Sequence, residues 1–421
     1  MLLSLAVTSE AAARQESSPR QLSVSPTSEA ATRQCTESDL YAGWPRVHHD
    51  PLYASARPNP LESLLGCAVV DLEHASLSQD EILTLAREVA TNGTVVAGLT
   101  RLRLGSVGNT GNAGASAVAD VLRASSTLQQ LDLGHAQVGA AGAAALGEAL
   151  RGHPSLATLL LDWNPGVGDA GAAAIAEALV GNLFLTTLSL ERSAVGDAGA
   201  AALADALRVN TALRTLRLEG NTIGAAGGAA LGEMLRANGA VASLSLHLNP
   251  LGDGGATALA NALTANAALG ELDCGAAGVG DAAAVAIAAM LRANGALHTV
   301  RLHSNAIGDD GAAALGEALR TNTALRELDL QLNAIGARGA DALRAGLTDN
   351  YTLRTLRLEH NHVTAALGQE LGDDEKEIPA ALAADISALL ERNRAQAGIV
   401  DDPRAEKAWH SATSLARSSA R

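Results

Sequence analysis

A unit of 28 residues recurs ten times between Leu99 and Asn361, each copy reading close to L-x-x-L-x-L-x-x-N-x-(I/V)-G-x-x-G. Its clearest copies begin at Leu213 (LRTLRLEGNTIGAAG), Leu325 (LRELDLQLNAIGARG) and Leu353 (LRTLRLEHNHV). The first place of each copy falls at 99, 128, 156, 185, 213, 241, 269, 297, 325 and 353, and the intervals after Leu99 and Leu156 are 29. A unit this short cannot bury its own apolar face, so the copies must stack on one another to make a core.

Within a unit the leucines keep strand spacing and then change to helix spacing. Leu216, Arg217 and Leu218 alternate as a short strand requires. The Asn that follows, at 164, 221, 249, 305, 333 and 361, can satisfy backbone groups left over by the strand. Asp169, Asp197, Asp253, Asp281 and Asp309 precede Ala-rich runs and are expected as N-caps of their own helices. Runs such as Gly311, Leu315, Ala318 and Leu319 carry one apolar stripe, and the closing Asn322 is expected as a left-handed C-cap. With 2 % aromatic residues, the core must be built from Leu, Ala, Val and Ile, and small residues must set how closely the helices approach.

This pattern resembles the ribonuclease-inhibitor-like leucine-rich repeats, which also form the sensor end of NOD-like receptors and the body of the Ran GTPase-activating protein. The resemblance covers 99–361. It implies an α/β solenoid, a horseshoe with parallel strands on the concave face and helices on the convex face. A degenerate first copy at Cys67, Val70 and Leu72, with a helix from Asp80 to Asn92, and a capping helix over Ile378–Asn393 extend the solenoid to 61–395, about 11 repeats. The last repeat is interrupted by an acidic loop at 367–378. Residues 1–60 read as a disordered low-complexity tail, in which TSEAAARQ returns as TSEAATRQ, and 396–421 as a C-terminal tail.

Several functions are disfavoured. A net charge of −15 repels phosphate backbones and anionic membranes, so neither nucleic acid nor a membrane is expected as a partner. Two lysines, Lys376 and Lys407, complete no P-loop. The Gly108–Gly114 run falls where the repeat needs its strand-to-helix turn. His48, His49 and Asp50 are adjacent in a Pro-flanked loop and cannot easily close a tetrahedral site, so no metal or cofactor is expected. His247, His303 and His360 recur near one place in the repeat without a Ser or Cys nucleophile in register, and are read as outward-facing polar residues. Three cysteines make no framework and fit a reducing, cytoplasmic setting.

What remains is a surface. The third, fifth and seventh places of each repeat should line the concave sheet, with the eighth at its rim. Two zones depart from a plain solvated face. One holds Leu160 and Trp163 beside Asp162, Glu191, Arg192 and Glu219; the indole either lids the longer turn at Asn164-Pro165-Gly166 or anchors a ligand that offers Arg or Lys. The other alternates charge through Arg301, His303, Asp329, Arg357, Glu359 and His360, the pattern of a surface salt-bridge ladder.

The function expected is therefore non-enzymatic: a protein-interaction module used as adaptor, inhibitor or sensing accessory. The alternative is a GTPase-activating regulator resembling the Ran GTPase-activating protein, with Arg192 reaching a nucleotide site; a ribonuclease inhibitor is a third reading. Each unit assigns about ten residues to helix and three or four to strand, so circular dichroism should show a helix-dominated spectrum. A strand-dominated one would refute the periodicity.

Overall fold

The computed structural model describes residues 34–35, 67–73, 77–106, 110–361 and 378–397. Twelve parallel strands form one open sheet in strict chain order: β1 Gln34–Cys35, β2 Val69–Asp71, β3 Arg101–Arg103, β4 Gln130–Asp132, β5 Thr158–Leu160, β6 Thr187–Ser189, β7 Thr215–Arg217, β8 Ser243–Ser245, β9 Glu271–Asp273, β10 Thr299–Arg301, β11 Glu327–Asp329 and β12 Thr355–Arg357. From β2 onward each strand occupies the third to fifth places of its repeat, and its central residue, a leucine except for Val70 and Val300, is buried, with Leu216 paired to Leu244 and Leu328 to Leu356. Helices cover the other face, so the expected α/β leucine-rich-repeat solenoid is the observed fold. The sheet starts earlier than the repeats do: β1 lies in the stretch read as a tail and pairs with β2 in parallel. The remainder of 1–60, the acidic loop except Ile378, and 398–421 lie outside the described residues.

Small residues set the helix spacing. A Cβ on Gly311 would approach Asp281 Oδ1 to 2.6 Å and the Ala284 methyl to 2.8 Å, and one on Gly346 would run into the Gly316 carbonyl. Ala318 is fully buried. The helices that flank these contacts, Asp281–Ala293, Asp309–Leu319 and Ala337–Asp349, therefore pack nearly backbone to backbone.

Polar side chains stitch each repeat to the next. The Asn221 amide donates to the carbonyls of Leu190 (2.8 Å) and Leu218 (2.9 Å), while its oxygen accepts from the N–H groups of Ser193 (3.0 Å) and Val195 (2.9 Å). Asn164, Asn305 and Asn333 make the same kind of bridge, which is the role expected for this position. The Asn at the helix end departs from expectation. Asn238, Asn294 and Asn350 are extended, not left-handed. Extended backbone lets Asn238 Nδ2 reach Leu207 and Asn210 carbonyls of the previous repeat while its Oδ1 accepts from Ala240 and Val241.

The Asp residues are also corrected. Asp197 caps no group of its own helix, Asp197–Leu207; its Oδ1 accepts from Gly224 N (2.7 Å) and Gly227 N (2.8 Å), the N-terminus of the following helix. Asp169, Asp281 and Asp309 do the same one repeat further on in each case. The cap is placed in trans because the pitch of the stack brings each helix start beside the preceding one.

The first and last described helices of the stack are tied down by polar side chains. Ser78 and Glu81 form a capping box on Gln79–Thr91. The last helix, Ala380–Gln396, buries Ile386 and Leu390, and its Arg392 donates to the carbonyls of Leu347 (2.9 Å) and Thr348 (3.0 Å). Cys274 is buried and free, but Cys67 is disulfide-bonded, so cysteine usage gives no support to a reducing compartment.

Replacing Asn221 by Ala orphans backbone groups on two repeats. Asn221→Ala is expected to lose at least about 2 kcal/mol, read as a lower urea midpoint. Thr222→Ala, one residue along and exposed, should stay within about 0.5 kcal/mol of the parent.

Candidate functional site

On the concave face the fifth and seventh places of adjacent strands stand side by side. In the first zone Asp162 Oδ1 accepts from Glu191 N (2.9 Å) and from the Ser189 hydroxyl, and Arg217 pairs with Glu219 (3.2 Å) and Glu191 (3.5 Å). Arg103 likewise joins Asp71 (2.9 Å), Glu73 and Asp132 (3.6 Å). Carboxylates outnumber guanidiniums along this half. Burial pushes the Asp162 carboxyl above its ordinary range, against the hydrogen bonds from Ser189 and Glu191. Burial does the same to Glu191, with repulsion from Glu219 and Asp162 adding to it. Burial works against the charge of Arg217, yet Glu219, Asp162 and Glu191 more than offset it and hold the guanidinium above its usual value.

Trp163 is half-buried at the rim, and both faces of its ring are taken. His135 stacks on it at 4.8 Å with 18° between the planes, and the Arg192 guanidinium carbon lies 4.1 Å from the ring centroid. Arg192 continues across Gly220, where a Cβ would come within 2.6 Å of its Cγ. The expectation of an indole face open to a ligand cation is therefore corrected: Arg192 already supplies that cation. The geometry has a backbone cause. His135, Trp163, Arg192, Leu248, Ala276, Ser304, Leu332 and His360 all occupy the eighth place and all have φ between 49° and 60°. Up to Leu332 each amide in this conformation extends the interstrand ladder, as Trp163 N does to the Glu191 carbonyl (2.7 Å) and Arg192 N to the Glu219 carbonyl (2.8 Å). Leu160, at a fifth place, is half-buried between Asp132 and Ser189 in register.

The second zone lies over β10 to β12. Arg301 turns sideways to Glu327 (3.7 Å), and Glu359 accepts from the Gln331 amide (2.8 Å). Asp329 is fully buried and accepts from Gln331 N (3.0 Å). Burial raises its carboxyl above the ordinary range, opposed by Gln331 N, His303 and Arg357. His360 is exposed at the rim. His303 instead leans toward the previous repeats and meets His247 edge-on, with ring centroids 4.9 Å apart and the planes at 89°.

Two features escaped the sequence reading. One is the trio His247, Asp273 and His303, whose ligand atoms all lie within 4.8 Å of one another. Its signal was present: His at the seventh place of two repeats, Gly275 at that place between them, and Asp273 at the fifth. Burial lowers the His247 imidazole below its ordinary value, with Asp273 opposing. The neighbouring Cys274 points into the core, where burial pushes its thiol far up, so it is no nucleophile for these histidines. The other is an exposed apolar group, Val180, Leu183, Phe184 and Val209, on the helix-to-strand loops of two adjacent repeats. Reading only strand places hid it. Among the described residues no helix is long and apolar enough to cross a membrane.

The Leucine Rich repeat family model matches residues 124–147, 181–204, 209–232, 296–316 and 321–343. No curated protein matches the chain. Among solved structures, leiomodin-1 actin-binding site 2 is 22 % identical, covering 44 % of this chain and 95 % of that one, with a TM-score of 0.33. The Caenorhabditis elegans tropomodulin C-terminal domain is 18 % identical over 30 % and 78 %, at 0.29. A chain of the yeast Rad7 and Elc1 complex is 17 % identical over 77 % and 71 %, at 0.45.

Because folding raises the Glu191 pKa, the folded protein keeps this proton to higher pH than the unfolded chain does. The group therefore costs stability as pH rises from the unfolded value through the folded one. Glu191→Gln should melt higher than the parent at pH 7.5. The advantage should vanish below about pH 4, where the parent side chain is protonated in both states. A variant that melts lower at pH 7.5 would show that the Arg217 pairing dominates.

Proposed function

We propose that this chain is a non-enzymatic protein-interaction scaffold whose concave face takes a partner segment carrying Arg or Lys over Asp162, Glu191 and Glu219. The observation that carries this reading is the crowding of those carboxylates around one arginine, Arg217, on a continuous half-buried sheet surface. An incoming cation relieves the repulsion that Glu191 feels from Glu219 and Asp162, so binding and charge neutralisation reinforce each other. Leu160 supplies apolar contact beside the carboxylates. Trp163 and Arg192 form a pre-stacked rim, and Arg301, His303, Arg357 and Glu359 flank a longer ligand; Asp329, expected among them, is fully buried and serves only from beneath. A preordered side-chain stack costs a partner little entropy to contact.

The GTPase-activating alternative needs an arginine free to reach a nucleotide. Arg192 lies flat between Trp163 and Gly220, which speaks for the scaffold reading.

Capture on three immobilised forms of the full chain tests the proposal: the parent, a concave triple variant (Asp162→Asn, Glu191→Gln, Glu219→Gln) and a convex control (Glu233→Gln, Glu317→Gln). A protein retained by the parent and the control, but bound about tenfold or more weakly by the triple variant, is the expected outcome. Binding that the two variants affect equally would move the site off the concave carboxylates. Single-turnover GTP hydrolysis by small GTPases, accelerated by the parent and not by Arg192→Ala, would favour the alternative instead.

A further inference from the structure

We propose that His247, Asp273 and His303 form a binding site for a divalent transition-metal ion of the zinc type on the concave face of the repeats carrying β8, β9 and β10. The three side chains come from three consecutive strands, and one ligand atom of each lies within 4.8 Å of the others. In a tetrahedral zinc site with ligands at about 2.0–2.2 Å such atoms stand about 3.3 Å apart, a contraction that side-chain torsions supply. Two imidazoles and one carboxylate select zinc over calcium or magnesium, which take oxygen ligands alone.

Two observations favour a ligand here, and the fold orients the third side chain. First, Nδ1 of His247 and Nδ1 of His303 are both shielded from solvent and have no hydrogen-bond partner. Two inward ring nitrogens left bare are costly unless something fills the space between them. Second, the intervening repeat has Gly275 at the seventh place. A Cβ there would overlap the His303 ring and come within 2.8 Å of His247 Nδ1, so the glycine makes the room in which the two rings converge. Strands two apart in a sheet are separated by about 9.6 Å, and side chains bridge that distance only across an empty middle position. Asp273 is held in place, since its Oδ1 accepts from Gly275 N at 2.9 Å, as Asp132 and Asp329 accept from Gly134 N and Gln331 N. Held this way, it is a preset third ligand of the kind that second-shell bonds fix in metal sites.

Glu219 and Asp329 act electrostatically on the two histidines and set a negative surround for a cation. All three ligands are only partly buried, so the fourth coordination position opens onto the concave surface. Water fills it in the free protein, and a partner's His, Cys or carboxylate can replace that water.

Zinc titration of the tag-free, chelator-treated full chain against a chromophoric zinc indicator tests the site. One equivalent should bind, and calcium and magnesium should not compete. His247→Ala, His303→Ala and Asp273→Asn should each weaken zinc by about 100-fold or more, while His48→Ala/His49→Ala leaves it unchanged. Melting each variant in chelator shows whether it folds. Should the ligand variants fail to fold, X-ray absorption of the zinc-loaded parent gives a second reading, with two imidazoles and oxygen expected around the metal. Absence of saturable one-to-one binding would overturn the proposal. So would affinity that survives the His247→Ala/His303→Ala double variant, or an absorption spectrum without imidazole scattering.

Discussion

Side-chain amides and carboxylates that satisfy backbone groups one repeat away are the interactions on which this molecule depends. A solenoid unit ends its strand and starts its helix with backbone donors and acceptors that no element of its own can pair. Asn221 takes up four of them across two repeats, Asn238 joins three segments at the helix ends, and Asp197 caps the helix that follows rather than its own. Each bond is modest, but each replaces a buried unpaired group, whose cost is larger. Fixed spacing follows from this. A repeat can gain a residue in its turn, as after Leu156, only if these side chains still reach, and Asn164 still does.

The same constraint produces the strained rim. Nine non-glycine residues from different repeats, Ser106 among them, hold the left-handed conformation at one place, and an isolated residue there costs about 1 kcal/mol or more. The backbone accepts it because the eighth-place amide donates to the next repeat, as in the bonds from Trp163 to Glu191 and from Leu248 to Gly275. Side chains at this place are thereby aimed along the rim instead of away from it. His135, Trp163 and Arg192 consequently stack on one another, ending on Gly220.

Charge on the concave face follows a related logic. A parallel sheet puts the same place of neighbouring repeats about 4.8 Å apart, so identical chemistry in adjacent copies becomes a cluster. Asp162, Glu191 and Glu219 become a carboxylate group around Arg217, and His247 and His303 meet across Gly275. Two adjoining stretches of the concave face, over β5–β7 and β8–β10, thus offer different chemistry, one a cation acceptor and the other an imidazole pair with an aspartate.

The period alone determined the fold: leucine spacing names strand and helix, and repetition without a self-sufficient core leaves stacking as the sole outcome. The buried leucines, the ninth-place Asn bridges and the terminal helix were legible for the same reason, since each is a local pattern repeated in register. What the sequence left open was every relation between copies. The role of Asp197 as a cap for the next helix, the extended Asn238, the Arg192 lid on Trp163 and the approach of His247 to His303 all depend on the pitch and lean of neighbouring repeats. Those quantities are set by how closely the Gly and Ala faces of the helices pack, as at Gly311 and Gly346, and no single repeat encodes them. The sequence decided which side of the sheet each residue takes, and the tertiary structure decided which of them touch and which are buried there, as Asp329 is, because contact across 28 residues is fixed by the stacking distance and not by the order of the chain.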